Sequence, residues 1–472
     1  MQTAAVVGGG LSGLAAAISL ADHGYQVTLV ERESSLGGRL SSLSDPRTGA
    51  PIDRWPPFWV DGGRELGRLL EKAGGRDLVE SADSADLSLL SRSRIGVLKQ
   101  RWPRGVLGNV LSVSRLSSVT WPDRLRAVAG VIALCCGRRA IPDSLSFYRH
   151  LRQIGQGNRI IGSFWNPLCL LTTGLLVEDI SAPLAVARFR SAFEQSAGTI
   201  GVAHSRVGLS RLLESRIAGF IRAREGRLSV SRTVQRVLIV DGEVRGLEIQ
   251  DAGVLRADAY VLAVPPRDLL SMLPEQWAGH PHFAAVRPLG YRPLTAVHLF
   301  FDRQVLPWKL AISAEPEGGL LTARGLTASG SGANPGHVAA FFPNSPGTFD
   351  LTREELVERT RRFLVDFVPG ARDARLRHSL VISHEHAVFL ASPGSQRARL
   401  GCETPVKNLW LAGSWTDTGL PGGLEGSAKS GRLAAESLDL SFRHGAKLAC
   451  CLRTCRTSVR PSPRPTPLRP TG

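Results

Sequence analysis

Three glycines and one acid near the start of the chain have types and spacing that permit binding chemistry. Gly8, Gly10 and Gly13 follow a short apolar run, and Glu31 stands 23 residues after Gly8. The first glycine permits a tight turn, the second lets backbone N–H groups approach a pyrophosphate, and the third brings helix and strand close together. The helix N-terminus favours phosphate, and Glu31 is placed to accept hydrogen bonds from both ribose hydroxyls. These features are typical of a dinucleotide site.

The elements that must position these residues are predicted from the same stretch. The apolar run Thr3–Val7 predicts a buried strand, Leu14–His23 predicts a helix that Gly24 ends, and Val27–Val30 predicts a second strand. Because these elements and the acid fall in register, they predict a Rossmann-like α/β unit that holds a dinucleotide. The alternative is a glycine-rich turn that packs without a ligand. An acid at position 31 would repel a 2′-phosphate, which disfavours NADP.

The residues that follow Glu31 separate FAD from NAD. The stretch ERESSLGGRLSS places Gly37, Gly38 and Arg39 a few residues after the acid. This pattern resembles the flavin amine oxidase and phytoene desaturase superfamily, in which an acid, a short spacer and GGR follow the second strand. The resemblance implies FAD, because the second glycine pair and the arginine bring another set of donors to the pyrophosphate.

A second strand, glycine turn and helix lie near the other end of the chain. Leu409–Ala412 predicts a strand, Gly413 and Ser414 open a glycine-rich turn, and Gly423–Glu436 predicts a helix. The N-terminus of that helix, aimed at the flavin, would stabilise negative charge on the reduced ring. The alternative is an ordinary strand–loop–helix unit with no ligand.

Residues 206–275 again have the character of a dinucleotide-binding domain. Turn signals at Asp241-Gly242 and at residues 251–253 predict successive hairpin strands. In the superfamily that the chain resembles, the residue corresponding to Val234 contacts adenine through its backbone. The cofactor-binding residues that follow from the motifs and the resemblance are Gly8, Gly10, Ser12, Gly13, Glu31, Arg32, Gly38, Arg39, Val234, Gly413, Ser414, Gly423 and Leu424.

Three further blocks narrow the resemblance. SFWNPLCLLTTGLLVEDISAPLA (163–185), PLTAVHLFFDRQV (293–305) and LWLAGSWTDTGLPGGLEGSAKSG (409–431) are similar to the squalene-associated flavin desaturases, better described as hydroxysqualene dehydroxylases. The resemblance covers roughly residues 1–440. It implies a non-covalent FAD, a C30 isoprenoid substrate, and removal of an allylic hydroxyl to give squalene for hopanoid or related synthesis.

The fold implied by the resemblance is a Rossmann-like FAD-binding domain interleaved with an α+β substrate domain. The expected segments are FAD-binding parts at 1–90, 206–285 and 396–440, a helical substrate- or membrane-facing cap at 91–205, a substrate-domain sheet at 286–395, and a basic, proline-rich disordered tail at 441–472.

The working mechanism is a reductive dehydroxylation. As the resemblance implies, an acid would protonate the allylic hydroxyl, water would leave, and the reduced flavin would supply a hydride from N5 to the resulting allylic cation. Asp53 and Asp417 are the candidate acids, because each falls in a segment expected near the ring. The alternative for each is a loop carboxylate that accepts hydrogen bonds from backbone N–H groups.

Two other functions stay open from the sequence. One is a carotenoid or other polyprenyl desaturase, in which the oxidised flavin takes up hydride. The other is a flavin-fold protein that binds an isoprenoid without turnover. Two departures from the family motivate the second alternative: LAGDWT stands here as LAGSWT with Ser414, and D-x-G-x-H is replaced by residues 53–57.

Composition excludes several classes of partner. Lys and Arg outnumber Asp and Glu by 58 to 41, giving a net charge of +17. Residues 443–472 contain seven of these bases and no acid, and they lack the interleaved aromatic residues of a nucleic-acid surface. Seven cysteines without a CxxC pair predict neither a disulfide framework nor a metal site and fit a reducing cytoplasm. The oligomeric state is not predicted.

Residues 100–140 are basic and apolar together and include Trp102 and Trp121. Such a segment is typical of a helix that lies on a membrane surface. The alternative is a buried helix flanked by solvated arginines. The expected location is therefore cytoplasmic, with a peripheral contact to the inner face of the membrane under the first interpretation. The longest apolar run, Ala127–Cys136, is too short to span a bilayer.

Overall fold

The structure, a computed structural model, describes most of the chain. The described residues are 1–61, 64–80, 87–91, 94–98, 106–116, 119–137, 139–195, 201–313, 319–323, 334–343 and 350–457.

Most of the described strands are short, and most alternate with helices or hairpin turns. In chain order they are β1 (Thr3–Val7), β2 (Gln26–Val30), β3 (Ser42–Ser44), β4 (Pro51–Asp53), β5 (Phe58–Asp61), β6 (Val79–Glu80), β7 (Leu87–Ser91), β8 (Arg94–Leu98), β9 (Gly201–Ser205), β10 (Arg227–Ser229), β11 (Val234–Val240), β12 (Glu243–Ile249), β13 (Gly253–Leu255), β14 (Ala259–Leu262), β15 (Tyr291–Phe301), β16 (Leu310–Ser313), β17 (Leu320–Ala323), β18 (His337–Pro343), β19 (Leu376–Phe389) and β20 (Leu409–Leu411).

The first and last described helices contact each other, and a further group of helices lies between residues 106 and 195. The α-helices are Leu11–Asp22, Arg64–Lys72, Val106–Ser114, Trp121–Cys136, Phe147–Gln153, Asn158–Ile160, Asn166–Thr173, Ala182–Gln195, Leu209–Leu212, Gly219–Arg222, Pro266–Met272, Glu275–Ala278, Pro281–Ala284, Arg353–Phe367 and Gly423–Thr457. Short 3₁₀ or π turns occupy Gly38–Leu40, Arg76–Leu78, Ile161–Trp165, Leu213–Ala218, Pro369–Ala371 and Gln396–Ala398.

Within the described residues, five strands form a parallel sheet in the order β10-β2-β1-β14-β20. Val6 of β1 lies opposite Leu29 on one side and Val261 on the other. Parallel strands are covered on both faces, which explains why β14 is apolar throughout and wholly buried. The predicted strand, helix, strand unit at the start of the chain is confirmed, and the sheet is Rossmann-like.

Two larger sheets complete the α+β part, and among the described residues two small antiparallel sheets pair β3 with β4 and β9 with β5 and β6. The hairpin strands β11, β12 and β13 form an antiparallel sheet. The strands β19-β15-β18-β17-β16-β7-β8 form a mixed sheet, in which β16 and β7 run parallel. The hairpin turns occur at the predicted places, since Asp241 and Asp251 have positive φ, and so do Gly242 and Gly253 in the same turns. The long strand β15 pairs with β19 and β18 and is buried from Leu294 to Phe301, because both faces of the strand pack on apolar core residues.

The parallel sheet is interleaved with the rest of the chain, because its strands come from residues 3–30, 227–262 and 409–411. The exact segment bounds stay a prediction, with one correction at residue 90. The strand Leu87–Ser91 runs through that boundary and pairs with β16 in the seven-stranded sheet.

The expected disordered tail needs a second correction. The helix that begins at Gly423 continues to Thr457, so residues 441–457 are helical. The first proline of this region is Pro461, so no residue before it blocks the helix as proline would. Residues 458–472 lie outside the described residues.

Candidate active site

The glycine turn between β1 and the first helix is held by backbone contacts of the protein itself. Gly8 has a φ of +103°, and its N–H donates to the carbonyl oxygen of Val30 at 2.8 Å. A Cβ atom on Gly13 would lie 1.8 Å from the carbonyl oxygen of Gly8. Gly8 is therefore required by backbone conformation and Gly13 by the close approach of helix to turn.

Gly10 is glycine for a different reason. A Cβ atom there would meet no described atom within 4 Å. The second glycine pair lies against it: the Gly37 N–H donates to Gly9 O at 2.8 Å, and a Cβ on Gly38 would lie 3.4 Å from the Gly10 Cα. The two predicted glycine stretches thus form one cradle at the carboxyl end of β1, with open space where the backbone faces outward. Such a cradle suits a pyrophosphate.

Glu31 ends β2 beside this cradle and is buried. Its carboxylate accepts backbone N–H groups from Gly9 at 2.5 Å and from Glu33 at 2.8 Å. The backbone N–H of Arg232 donates to the Glu31 carbonyl at 2.9 Å. A carboxylate has about four acceptor positions, so the two N–H groups orient Glu31 and leave acceptor capacity for ribose hydroxyls.

Val234 and Arg32 flank the same edge of the sheet. Val234 is buried at the start of β11, two residues after Arg232, which is bonded to Glu31. Arg32 is exposed, and its Nη1 lies 3.1 Å from the Asp268 carboxylate. The structure therefore brings Val234 next to the acid that is predicted to bind ribose, and it ties Arg32 to the helix Pro266–Met272.

Arg39 joins three distant segments. Its Nη1 donates to the Ala387 carbonyl at 2.6 Å, and its Nη2 donates to Ser414 Oγ at 3.0 Å. Its guanidinium carbon lies 5.4 Å from the ring centroid of Tyr291. Burial raises the pKa of Tyr291, and the positive charge of Arg39 opposes that rise. Ser414, in place of the family's aspartate, gives Arg39 a neutral acceptor instead of an ion pair.

The turn after β20 and the helix that follows it reach the same edge. The Gly413 N–H donates to Ser430 Oγ at 2.8 Å, which ties the turn to the helix Gly423–Thr457. Gly423 has a φ of +68°, and a Cβ there would meet no described atom within 4 Å. Ser12 is buried where the first helix meets this last one, 2.1 Å from the position of a Cβ on Gly431.

The two candidate acids both hold backbone groups. Asp53 is buried, and its Oδ1 accepts from Ser42 Oγ at 2.7 Å and from the Leu209 N–H at 2.8 Å. Asp417 is exposed, and its Oδ1 accepts from the Gly419 N–H at 3.1 Å. These contacts match the alternative interpretation, in which each carboxylate stabilises a loop. A catalytic role for either acid stays a prediction.

An apolar cavity opens beside the start of the last helix. It has a cavity volume of about 70 Å³, or about 700 Å³ when the open space at its mouth is counted, and lies between residues 55–60, the helix Asn166–Thr173 and residues 422–425. Gly423 and Leu424, both predicted to contact the cofactor, form part of its wall. The apolar lining includes Trp55, Phe58, Trp59, Leu170, Leu171 and Leu294.

Two charged side chains line this otherwise apolar cavity. Arg188 is 5% exposed and Glu425 is 8% exposed. Burial raises the pKa of Glu425, while the charge of Arg188 and backbone N–H groups of Glu65 and Leu66 oppose the rise. Burial likewise lowers the pKa of Arg188, and Glu425 opposes that change.

The sequence interpretation missed both charged residues. Glu425 directly follows Leu424 in the LPGGLEGS block, so an acid in the first turn of a predicted helix was an available signal. Arg188 carries no such signal, because it is one arginine among many in a basic chain. The tertiary structure alone brings it to the cavity.

Comparison with known proteins identifies the family. The sequence profile described as flavin containing amine oxidoreductase matches residues 11–438. The chain belongs to the flavin containing amine oxidoreductase family. As a member of this family it is an FAD-dependent oxidoreductase, and the predicted superfamily, fold class and cofactor are confirmed. The double glycine cradle and the buried Glu31 fit FAD.

The relatives and solved structures that the chain is similar to match it over most of its length. A hydroxysqualene dehydroxylase from Rhodopseudomonas palustris is 27% identical over 92% of this chain and 98% of its own length. A probable zeta-carotene desaturase from Synechococcus elongatus is 24% identical over 92% and 98%. The crystal structure of an oxidoreductase from Methanosarcina mazei has a TM-score of 0.71 at 17% identity and covers 92% of this chain and 99% of its own.

Two other kinds of feature are absent from the described part of the chain. None of its helices combines the length and apolar character needed to cross a membrane. The same residues contain no group of three or more His, Cys, Asp or Glu side chains placed to hold a metal ion.

Proposed function

We propose that this flavoenzyme acts on a C30 isoprenoid and reduces hydroxysqualene to squalene. The apolar cavity carries the proposal, because Gly423 and Leu424 belong both to its wall and to the segment expected to contact the flavin. A long hydrocarbon needs such an apolar enclosure beside the redox centre. Similarity to hydroxysqualene dehydroxylases over almost the full chain supports the same substrate class.

In this proposal each group of residues has a physical task. When bound, FAD supplies the hydride chemistry. The glycine cradle and Glu31 hold the dinucleotide, and Arg39 locks the turn at Ser414 against β19. Aromatic side chains such as Trp55 and Phe58 exclude water from the cavity, so that water does not add to the allylic cation and regenerate the alcohol.

The direct test is turnover by the purified holoprotein. Incubation of reduced, FAD-loaded protein with dispersed hydroxysqualene should yield squalene, measured by gas chromatography. The formation of squalene must depend on the enzyme-bound flavin, so a Gly10→Val variant serves as the cofactor-free control. Flavin-loaded protein that binds the substrate without forming squalene would contradict the proposal and favour the binding protein without turnover.

A desaturase is the second candidate, because the carotene desaturase from Synechococcus elongatus is matched at comparable identity and coverage. The apolar lining of the cavity is also compatible with a polyene. Incubation of the oxidised holoprotein with C30 and C40 hydrocarbons separates the two functions. New conjugated double bonds, seen as longer-wavelength absorbance of the product, would assign the desaturase function.

We also propose a peripheral contact with the cytoplasmic face of a membrane, made by the helix Trp121–Cys136. Its inner face is buried, but Trp121, Leu125 and Ile132 are 62%, 55% and 43% exposed. They share one face at helical spacing, and the exposed Arg126, which pairs with Asp123, lies about 100° around the helix from Leu125. An apolar stripe beside basic side chains is typical of a helix that lies in an anionic membrane surface.

Sedimentation with phosphatidylglycerol-containing vesicles tests this contact. A Leu125→Glu/Ile132→Glu double variant should bind about tenfold more weakly than the wild type, because two apolar side chains no longer enter the membrane. The matched control is Val240→Glu/Val254→Glu, which alters exposed apolar residues in the hairpin sheet and should leave vesicle binding unchanged. Equal losses in both variants would contradict the proposed surface.

A further inference from the structure

Arg188 is a buried cation with unused donors that lines an apolar cavity. It lies on the helix Ala182–Gln195 and is 5% exposed. Its Nε donates to the Thr172 carbonyl at 3.2 Å. Among the described residues, this is the one hydrogen bond that its guanidinium makes, although the group carries five N–H donors.

The neighbouring carboxylate does not satisfy these donors. Glu425 lines the same cavity, but its oxygens accept from the backbone N–H groups of Glu65 at 3.0 Å and Leu66 at 3.1 Å. No ion pair within 4.0 Å joins Arg188 to an acid in the part of the chain that the structure describes. Burying an unpaired charge is strongly unfavourable unless a ligand or water supplies an acceptor.

The chemistry of the missing acceptor follows from the rest of the cavity. The apolar lining suits a hydrocarbon chain, yet a pure hydrocarbon leaves the Arg188 donors unsatisfied. An anionic group is disfavoured, because the Glu425 carboxylate lines the same space and would repel it. A neutral oxygen on an apolar body satisfies both requirements, and a hydroxyl is such an oxygen.

We infer that Arg188 determines specificity by donating a hydrogen bond to a hydroxyl on the substrate, so that the cavity prefers an isoprenoid alcohol to the hydrocarbon of equal length. The inference rests on the proposed function and deepens it, because hydroxysqualene has the acceptor that squalene and carotenes lack. A site that hydrogen-bonds a substrate hydroxyl rejects the analogue without it, since the buried donor is then left unpaired.

Ligand binding to the oxidised holoprotein tests this inference without turnover, because dehydroxylation requires a reductant. Hydroxysqualene and squalene are titrated separately, and quenching of tryptophan fluorescence reports occupancy, since Trp55 and Trp59 line the cavity. The wild type should prefer the alcohol by about tenfold or more, the range expected for a hydrogen bond to a charged donor. Arg188→Met should lose most of that preference, and Arg188→Lys should retain part of it.

The control variant is Arg159→Met, which removes an exposed arginine of the same helical region and should keep the wild-type preference. Without ligand, Arg188→Met should change the melting temperature little, because it removes a buried cation but also removes the positive charge that stabilises the buried Glu425 carboxylate. If Arg188 were purely structural, its replacement would instead lower the melting temperature and weaken the binding of both ligands equally. That result would overturn the inference.

The outcomes separate the inference from the proposed function. If both ligands bind and squalene is formed, but Arg188→Met keeps the wild-type preference, the inference alone fails. If neither ligand binds the wild-type holoprotein, the proposed function fails and the role of Arg188 fails with it.

Discussion

Gly10 and Gly13 belong to one motif, but the structure requires glycine at each for a different reason. A Cβ on Gly13 would overlap the Gly8 carbonyl, whereas a Cβ on Gly10 would enter open space. Gly13 is therefore required for folding, and Gly10 is required for binding the ligand. A motif search treats the two glycines as equivalent, while the surrounding atoms distinguish them.

Replacing each glycine by valine should separate these roles. Gly13→Val should reduce the free energy of unfolding by about 3 kcal/mol or prevent folding, because the backbone cannot move away from the added atoms. Gly10→Val should keep the melting temperature of the apoprotein and lose bound flavin. Thermal denaturation and the visible flavin absorbance measure the two effects. Full flavin occupancy in Gly10→Val would contradict the assignment of the cradle.

At the scale of secondary-structure elements, Glu425 connects two helices and the cavity. It lies in the first turn of the helix Gly423–Thr457 and accepts N–H groups at the start of the helix Arg64–Lys72. A carboxylate at a helix N-terminus is favourable, but burial raises the pKa of Glu425. Its folded-state pKa therefore lies above its unfolded-state value.

This shift predicts a pH dependence of stability. A carboxyl whose pKa is raised by folding stabilises the protein fully below the unfolded-state pKa, and that contribution is lost as pH rises through the folded-state pKa. The melting temperature of the wild type should therefore fall relative to Glu425→Gln as pH rises from acid to neutral, because the amide never ionises. The control is Glu358→Gln, an exposed acid, for which the difference should stay nearly constant. A growing advantage of the wild type with rising pH would contradict the burial effect.

Local signals correctly predicted several elements. The helix Arg353–Phe367 begins at Thr352 with a capping box to Glu355, a pattern that is visible in the sequence. The hairpins at Asp241 and Asp251 follow from turn residues that tolerate positive φ. The last helix was predicted to end at Glu436 but continues to Thr457. Just beyond the predicted end, Leu438 is buried and Phe442 packs against Tyr25.

At the scale of the whole molecule, the first and last described helices cross at small residues. A Cβ on Gly431 would lie 2.1 Å from Ser12 O and 2.7 Å from the Ala16 nitrogen. The crossing brings the glycine turn at one end of the chain against the helix at the other end. The cofactor cradle therefore depends on contacts between residues that are far apart in sequence.

A bulky residue at this crossing should disturb the entire site. Gly431→Val should lower the free energy of unfolding by about 3 kcal/mol and reduce flavin occupancy, because the first helix must move. Gly67→Ala is the control: it lies in a helix with open space around the new Cβ and should gain about 0.5–1 kcal/mol. Chemical denaturation and flavin absorbance measure both variants, and unchanged flavin content in Gly431→Val would exclude this coupling.

The sequence by itself determined the dinucleotide unit, because Gly8, Gly13 and Glu31 act through spacing within one strand–turn–helix–strand segment. Only the tertiary structure decided the surroundings of the substrate. Arg188 and Glu425 both line the cavity, and Asp53 accepts a hydrogen bond from the N–H of Leu209. Both arrangements result from the packing of segments whose sequences carry no local signal that they are neighbours. Local spacing is fixed by backbone geometry and can be read directly, whereas a contact between remote residues depends on how the whole core packs.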